Sequence, residues 1–406
     1  MKIINPTYIY LDNTFQENLA VAFNAEIQAI DTLENLQTQY PEASVEDQAE
    51  NSVLYPGFIN THVHLEFSKN RTTLEYGSFM PWLDSVIKNR EDLVSECDNE
   101  VMMEACKQML NSGVTTFGAI SSFGTELEVC TKTPQKVLFF NELIGSQAAT
   151  ADMLYGDFLE RLNESKNCVD DGIIPAIAIH SPYSVHPIVT QRAIALAKQE
   201  ELPLSAHFLE SQAEREWLTK ETGGFLNFFQ NFFSTSKAVT TVEEFMHSLN
   251  QVPAHLTHAV QATTEELNFL NEKGHSIAHC PRSNRLLGCG RLAIETLIEN
   301  NMPFTTATDG LSSNNTLSIL DELRAALMLH HSVPIEELAS VLIKSITSTP
   351  AEIFSLNSGI IEIGKDADFA FLTLPDKPSS LESIALHTIL HTNKVDKVYI
   401  SGNIVS

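Results

Sequence analysis

Two histidines two residues apart, His62 and His64, stand in the run PGFINTHVHLEFS. In a strand, residues i and i+2 share a face, so both imidazoles point the same way. Two imidazoles so placed can share one metal ion. Further candidates end later apolar runs: His207 in LPLSAHFLES, His258 in LTHAVQ and Asp309 in PFTTATDG. His62, His64, His207 and Asp309 offer three nitrogens and a carboxylate, a donor set for a borderline cation such as Zn2+ or Fe2+. Glu210 follows His207 by three residues. It is either a solvated loop acid or, desolvated beside a metal-held water, a general acid and base. His258 alone would read as structural; as one of several strand-end ligands it reads as functional. His180, ending AIAIHS, has no ligand partner in the sequence and is read as a substrate contact.

These residues need a scaffold that gathers strand ends at one mouth. Eight short apolar runs from Ser52 onward supply it: SVLYPGFINTHVH, GVTTFGAIS, KVLFFNELIG, IIPAIAIHS, LPLSAHFLE, AHLTHAV, HSIAHCP and PFTTATDG. Helical stretches such as VMMEACKQMLNSG and IVTQRAIALAKQEE alternate with them. Strand–helix alternation of this kind predicts an α/β fold, a (β/α)8 TIM barrel, whose active site lies at the C-terminal ends of the strands. The barrel is expected over residues 56–357. The ends, 1–55 and 358–406, alternate in short strand-like runs and are expected to pair into one small β-sandwich domain without helices. The Phe-rich stretch FLNFFQNFFSTSKAV (225–239) reads as a packed insertion after the fifth strand, with a lid or dimer surface as the alternative.

Composition removes several classes of function. Asp and Glu total 52 against 25 Lys and Arg, a net charge of −27. That balance argues against nucleic acid or an anionic membrane as partner. With 43% hydrophobic residues a large core is feasible. The N-terminus lacks a signal-peptide pattern, and no run has the length of a membrane span. The six cysteines form no C-x-x-C pair and read as reduced thiols, so a cytoplasmic protein is expected. A homodimer is an open guess.

The ordered motifs PGFINTHVHLEFS, HSPYSV, HFLES, HCPRSNRLL and ATDGLSSNNTLSILDELRAA resemble those of the amidohydrolase superfamily, in its cytosine-deaminase and chlorohydrolase-like branch. The resemblance covers nearly the whole chain, including the C-terminal strands GIIEIGKDADFAFL and VDKVYISGNIVS. It implies one divalent metal, Zn2+ or alternatively Fe2+, held by His62, His64, His207 and Asp309. Glu210 would shuttle protons, His258 would orient the attacking water, and His180 would contact substrate. His279, in AHCPRSN, would lie on the substrate side, with a structural role as the alternative. Two-metal members bridge their ions with a modified lysine at the third or fourth strand end. Here those ends read Asn141-Glu142-Leu143 and Ile179-His180-Ser181, so one metal is expected.

The finer likeness is to members that deaminate 6-amino-6-deoxyfutalosine on a route to menaquinone. Adenosine, S-adenosylhomocysteine, guanine or a triazine are alternative substrates, and a non-catalytic binding barrel is the rival of another class. Pro81 in FMPWL stands where relatives acting on S-adenosylhomocysteine tend to carry Glu, which weighs against that substrate. A benzoate-bearing substrate calls for a cation, and Arg282 and Arg285 are the candidates, with surface ion pairing as their alternative. Glu66 and Glu142 could accept hydrogen bonds from ribose hydroxyls or serve as structural acceptors.

Overall fold

The computed structural model describes residues 1–47, 49–70 and 72–406. Eight parallel strands follow one another in chain order around a barrel. They are Phe58–Val63, Val114–Ser121, Lys136–Leu143, Ile173–Ile179, Leu204–Phe208, His255–His258, Ser276–His279 and Phe304–Thr306. Each lies inside one of the eight apolar runs. Nearly every position in them is buried, as expected of parallel strands covered by helices outside and packed side chains within.

Hydrogen bonds join the first strand to the last. Thr61 and Thr305 pair their hydroxyls at 2.7 Å inside the barrel. Asn60 donates to Thr308 Oγ1 (2.8 Å) and accepts from the Thr308 N–H (3.1 Å). The Asp309 N–H donates to the His62 carbonyl at 3.1 Å, which ties two candidate ligands together through their backbones.

The run SVLYPGFINTHVH divides in two. Ser52–Pro56 pairs antiparallel with Phe369–Thr373 in a six-stranded sheet, and Phe58–Val63 enters the barrel. Gly57 makes the transition possible, because a Cβ there would stand 2.1 Å from Thr115 Oγ1. Both chain ends contribute to that sheet, and a four-stranded sheet of N-terminal strands packs against it. Ile4, Val21 and Phe23 of the smaller sheet meet Leu54, Phe369 and Tyr399 of the larger, giving a β-sandwich core. We propose that the domain division falls at Gly57 and again within the loop before Gly359.

The ends are not free of helices, contrary to expectation. Leu33–Gln39 is helical, capped by Thr32 and held to its sheet by buried Leu36. Ile384–His391 is helical too, burying Ile384, Ala385, Thr388 and Ile389 on one face, while Arg324 binds the carbonyls of Ile389 and Thr392. No helix among the described residues is long and apolar enough to cross a membrane.

Candidate active site

His62, His64, His207 and Asp309 converge at the C-terminal mouth of the barrel. His64 Nε2 and His207 Nε2 lie 3.3 Å apart, and the Nε2 atoms of His62 and His64 each stand 3.6 Å from Asp309 Oδ1. The surroundings orient each donor. His207 Nδ1–H donates to the His180 carbonyl at 2.6 Å, which leaves the Nε2 lone pair facing the cluster. His62 Nδ1 shares a hydrogen bond with Thr257 (3.2 Å), and its Nε2 is buried with no hydrogen-bond partner. Asp309 Oδ2 accepts the hydroxyls of Ser283 and Ser313, each at 2.7 Å, and Oδ1 accepts the Gly310 N–H at 2.8 Å.

Burial sets the protonation states. It pushes His64 down to about 3 and His207 well below its ordinary value, so these rings are neutral and their lone pairs are available. Burial alone would raise Asp309, but the His62 and His64 rings that face its Oδ1 outweigh it and hold the carboxyl well below its usual range. An orphaned ring nitrogen, an oriented tautomer and an ionised carboxylate together fit one divalent cation.

Glu210 and His258 face each other beside this cluster, with His258 Nε2 3.6 Å from Glu210 Oε1. His258 Nδ1–H donates to Asn284 Oδ1 (2.8 Å), so Nε2 turns a lone pair toward the mouth. Burial pushes His258 down to about 4. Burial first, then the charges of Asp309 and Glu214, push Glu210 well above the ordinary carboxylate range. Glu214 clamps the turn that carries Glu210, accepting the N–H groups of Leu209 (3.0 Å) and Glu210 (2.8 Å). Leu209, His258 and Asp309 all have positive φ (46°, 75° and 57°), a costly conformation for side-chain-bearing residues that concentrates here at the strand ends.

Above the polar floor lies a cavity of about 260 Å3. Phe79, Trp82, Leu83, Phe123 and Tyr183 form much of its wall. Trp82 Nε1–H donates to the Ser312 carbonyl at 2.9 Å, which binds the helix Phe79–Lys88 to the loop after the eighth strand. The Phe-rich insertion forms the helix Gly224–Phe233 and packs from behind: the Phe225 ring sits 4.4 Å from that of Tyr183. His180 lines the cavity, with Nδ1 bonded to Ser184 Oγ at 2.6 Å. Glu142 also lines it, accepts from Ser122 Oγ (2.6 Å), and is pushed up to about 7 by burial.

Four residues proposed from the sequence do not reach this cavity. Glu66 is spent on the loop after the second strand, accepting the N–H groups of Ser122 (2.9 Å) and Phe123 (2.7 Å). His279 points outward from its strand and bonds to His330 Nε2 at 3.1 Å, beneath a barrel helix. Arg282 is consumed by Glu322 (2.7 Å), Asn315, Thr316 and the Ser318 carbonyl. Arg285 is exposed on the short helix Pro281–Leu286 and lines no part of the cavity. The face of that helix turned to the site carries Ser283 and Asn284, which the sequence reading passed over.

Arg282 is therefore a structural residue with a measurable consequence. Glu322 is fully buried and loses its charge partner in Arg282→Met, though Asn314 still donates to it. Breaking such a pair costs about 3 kcal/mol. The expected result is a clear drop in melting temperature with KM for substrate unchanged, read by thermal denaturation and steady-state kinetics.

The sequence model of the amidohydrolase family matches residues 53–405. This chain belongs to the amidohydrolase family. It is a hydrolase of that family and is similar over its full length to deaminases. An aminodeoxyfutalosine deaminase of a Nitratiruptor species is 44% identical over 402 residues, 99% of this chain and 98% of the relative. An adenosine deaminase of Helicobacter pylori is 34% identical over 409 residues, again 99% and 98% of the two chains. The crystal structure of Helicobacter pylori aminofutalosine deaminase in complex with methylthio-coformycin superposes with a TM-score of 0.94 at 34% identity, covering all of both chains. A zinc-bound adenosine deaminase from Xanthomonas campestris shares the fold (TM-score 0.81, 23% identity, 99% and 92% covered).

Proposed function

We propose that this protein hydrolytically deaminates a 6-aminopurine nucleoside, and that the substrate is 6-amino-6-deoxyfutalosine, released as futalosine and ammonia. One observation carries the reaction type: Glu210, raised well above its usual pKa, faces neutral His258 beside an oriented three-histidine, one-aspartate donor set. The 44% full-length likeness to an aminodeoxyfutalosine deaminase supports the substrate. So does a cavity whose wall above the floor is largely apolar and aromatic. The reading places the enzyme on a route to menaquinone.

His62, His64, His207 and Asp309 would hold the metal, which we take to be Zn2+, with Fe2+ as the alternative. When bound, the ion supplies Lewis acidity that lowers the pKa of water from about 15.7 to about 7. The zinc-bound neighbour and the nitrogen-rich donor set favour zinc. The protein's own groups move the protons. His258 Nε2 accepts a hydrogen bond from the attacking water and aims it at C6. Asp309 takes the proton this water gives up. Glu210, protonated because it is buried, donates to the adjacent ring nitrogen, so negative charge does not accumulate on the purine. As the C6–N bond breaks, a proton relayed through Glu210 leaves with the amine as ammonia, and the ring keeps the new C6 oxygen.

The protonation states give the pH profile a direction. His258 works as the neutral imidazole, and its pKa of about 4 means it charges only in strong acid. Glu210 works as the acid, so rising pH removes its active form above the ordinary carboxylate range. kcat/KM is therefore expected to fall on the alkaline side as Glu210 ionises, and on the acid side to show no limb belonging to His258; an acid limb at about 7 would belong to water on the bound metal and should persist in His258→Gln. A limb near 6.5 that vanished in His258→Gln would contradict this assignment.

The reaction class is tested by product stoichiometry. Equimolar ammonia and oxo-purine, both abolished by chelation and restored by zinc, support it. Turnover that survives complete metal removal would refute it.

A further inference from the structure

The cavity has a cation at its rim that the proton and metal chemistry does not use. Arg90 lines the cavity with Phe123, Val86 and Ile87, and among the described residues it is the one cation that does. Its guanidinium carbon stands 4.9 Å from the centroid of the Phe123 ring. The chain carries 52 acidic residues against 25 basic ones, so acidic partners for a guanidinium are plentiful in the chain as a whole. Other arginines near the site have found theirs. Arg161 donates to the Ser121 and Glu142 carbonyls, Arg282 pairs with Glu322, and Arg291 pairs with Glu295. Arg90 has no carboxylate within ion-pair distance among the described residues, although Glu91 and Asp92 follow it directly. The cavity's own acids, Glu142, Glu210 and Asp309, are committed to its floor.

A guanidinium placed over an aromatic ring gains a cation–π contact and still has N–H groups that form a fork matching a carboxylate. Phe123 and Ile144 are large apolar side chains left 38% and 45% exposed, and both line the same cavity. An aryl ring against these two residues would bring a ring carboxylate toward Arg90 and leave the purine over the floor. We propose that Arg90 binds the carboxylate of the substrate's aryl group and so makes the enzyme select an acidic nucleoside over neutral ones. This rests on the substrate reading given above. Arg90 is then a specificity residue remote from the reacting carbon, and its binding energy is expressed in KM.

The test compares 6-amino-6-deoxyfutalosine, its carboxamide and adenosine on wild type, Arg90→Gln and Arg90→Lys, all zinc-loaded. A hydrogen-bonded charge pair of this kind corresponds to about 10- to 100-fold in affinity. Arg90→Gln is expected to lower the ratio of kcat/KM for the acid over that for the carboxamide by that factor, mainly through KM. Arg90→Lys should recover part of it, and added salt should shrink the wild-type ratio more than that of Arg90→Gln. If wild type prefers the acid and Arg90→Gln keeps that preference within about twofold, Arg90 is not the carboxylate site and the substrate reading stands. If wild type shows no preference for the acid over the carboxamide and adenosine, the substrate reading fails and the assignment of Arg90 falls with it.

Discussion

Glu210→Gln is expected to lower kcat by about 100- to 10,000-fold while bound zinc stays at the wild-type level. Glutamine keeps the shape of the side chain, and the turn that presents it is held by Glu214 through the backbone N–H groups of Leu209 and Glu210. The protein loses the proton that burial and the neighbouring Asp309 and Glu214 charges keep on this carboxyl. Substrate binding should change little, because the metal donors and the cavity wall are untouched. Single-turnover kinetics beside metal analysis read the two effects separately. A loss of less than tenfold with zinc retained would remove Glu210 from the proton relay.

Asp309→Asn is expected to do at least comparable damage, by about 1,000-fold or more in kcat, and by a different route. Asp309 accepts three hydrogen bonds, from Ser283, Ser313 and Gly310, while its Oδ1 also faces His62 and His64. An amide cannot take the water's proton, and its NH2 must turn either toward the serine hydroxyls or toward the cation. Asparagine tolerates the positive φ of this position better than most residues, so the backbone should survive. Zinc content should therefore fall along with turnover while the melting temperature of the metal-free protein hardly moves. Retention of full zinc and more than a tenth of wild-type kcat would show that Asp309 is neither ligand nor base.

The strand-borne part of this site is legible in the amino-acid sequence because two periodicities act on it. Parallel buried strands read as apolar runs, and a residue ending such a run must emerge at the barrel mouth, as His62, His207 and His258 do. Alternation along the strand argues against His279, since Ser276 and Ala278 take the inward positions and leave His279 facing a helix; it would argue equally against His258, whose strand turns His255 and Thr257 inward, and His258 reaches the mouth at a backbone of positive φ. Parity fails at Glu66 because the strand ends at Val63 and the chain has turned by then. Arg282 and Arg285 stood out by charge alone. The helix Pro281–Leu286 turns Ser283 and Asn284 inward, and that choice of face is set by packing absent from the local pattern. Arg90 follows the helix Phe79–Lys88, and only the tertiary fold brings it to the cavity rim beside Phe123. The two end helices escape sequence patterning for a similar reason. Each is short and stabilised by the surface it covers, with Leu36 under one and Ile384 and Ile389 under the other.

The measurement that bears most directly on the central claim is ammonia release by zinc-loaded protein from 6-amino-6-deoxyfutalosine, adenosine, S-adenosylhomocysteine and guanine, compared as kcat/KM. The account predicts turnover of 6-aminopurine nucleosides with 6-amino-6-deoxyfutalosine the best of the four. A higher kcat/KM on guanine, or no ammonia from any 6-aminopurine at full zinc occupancy, would contradict it.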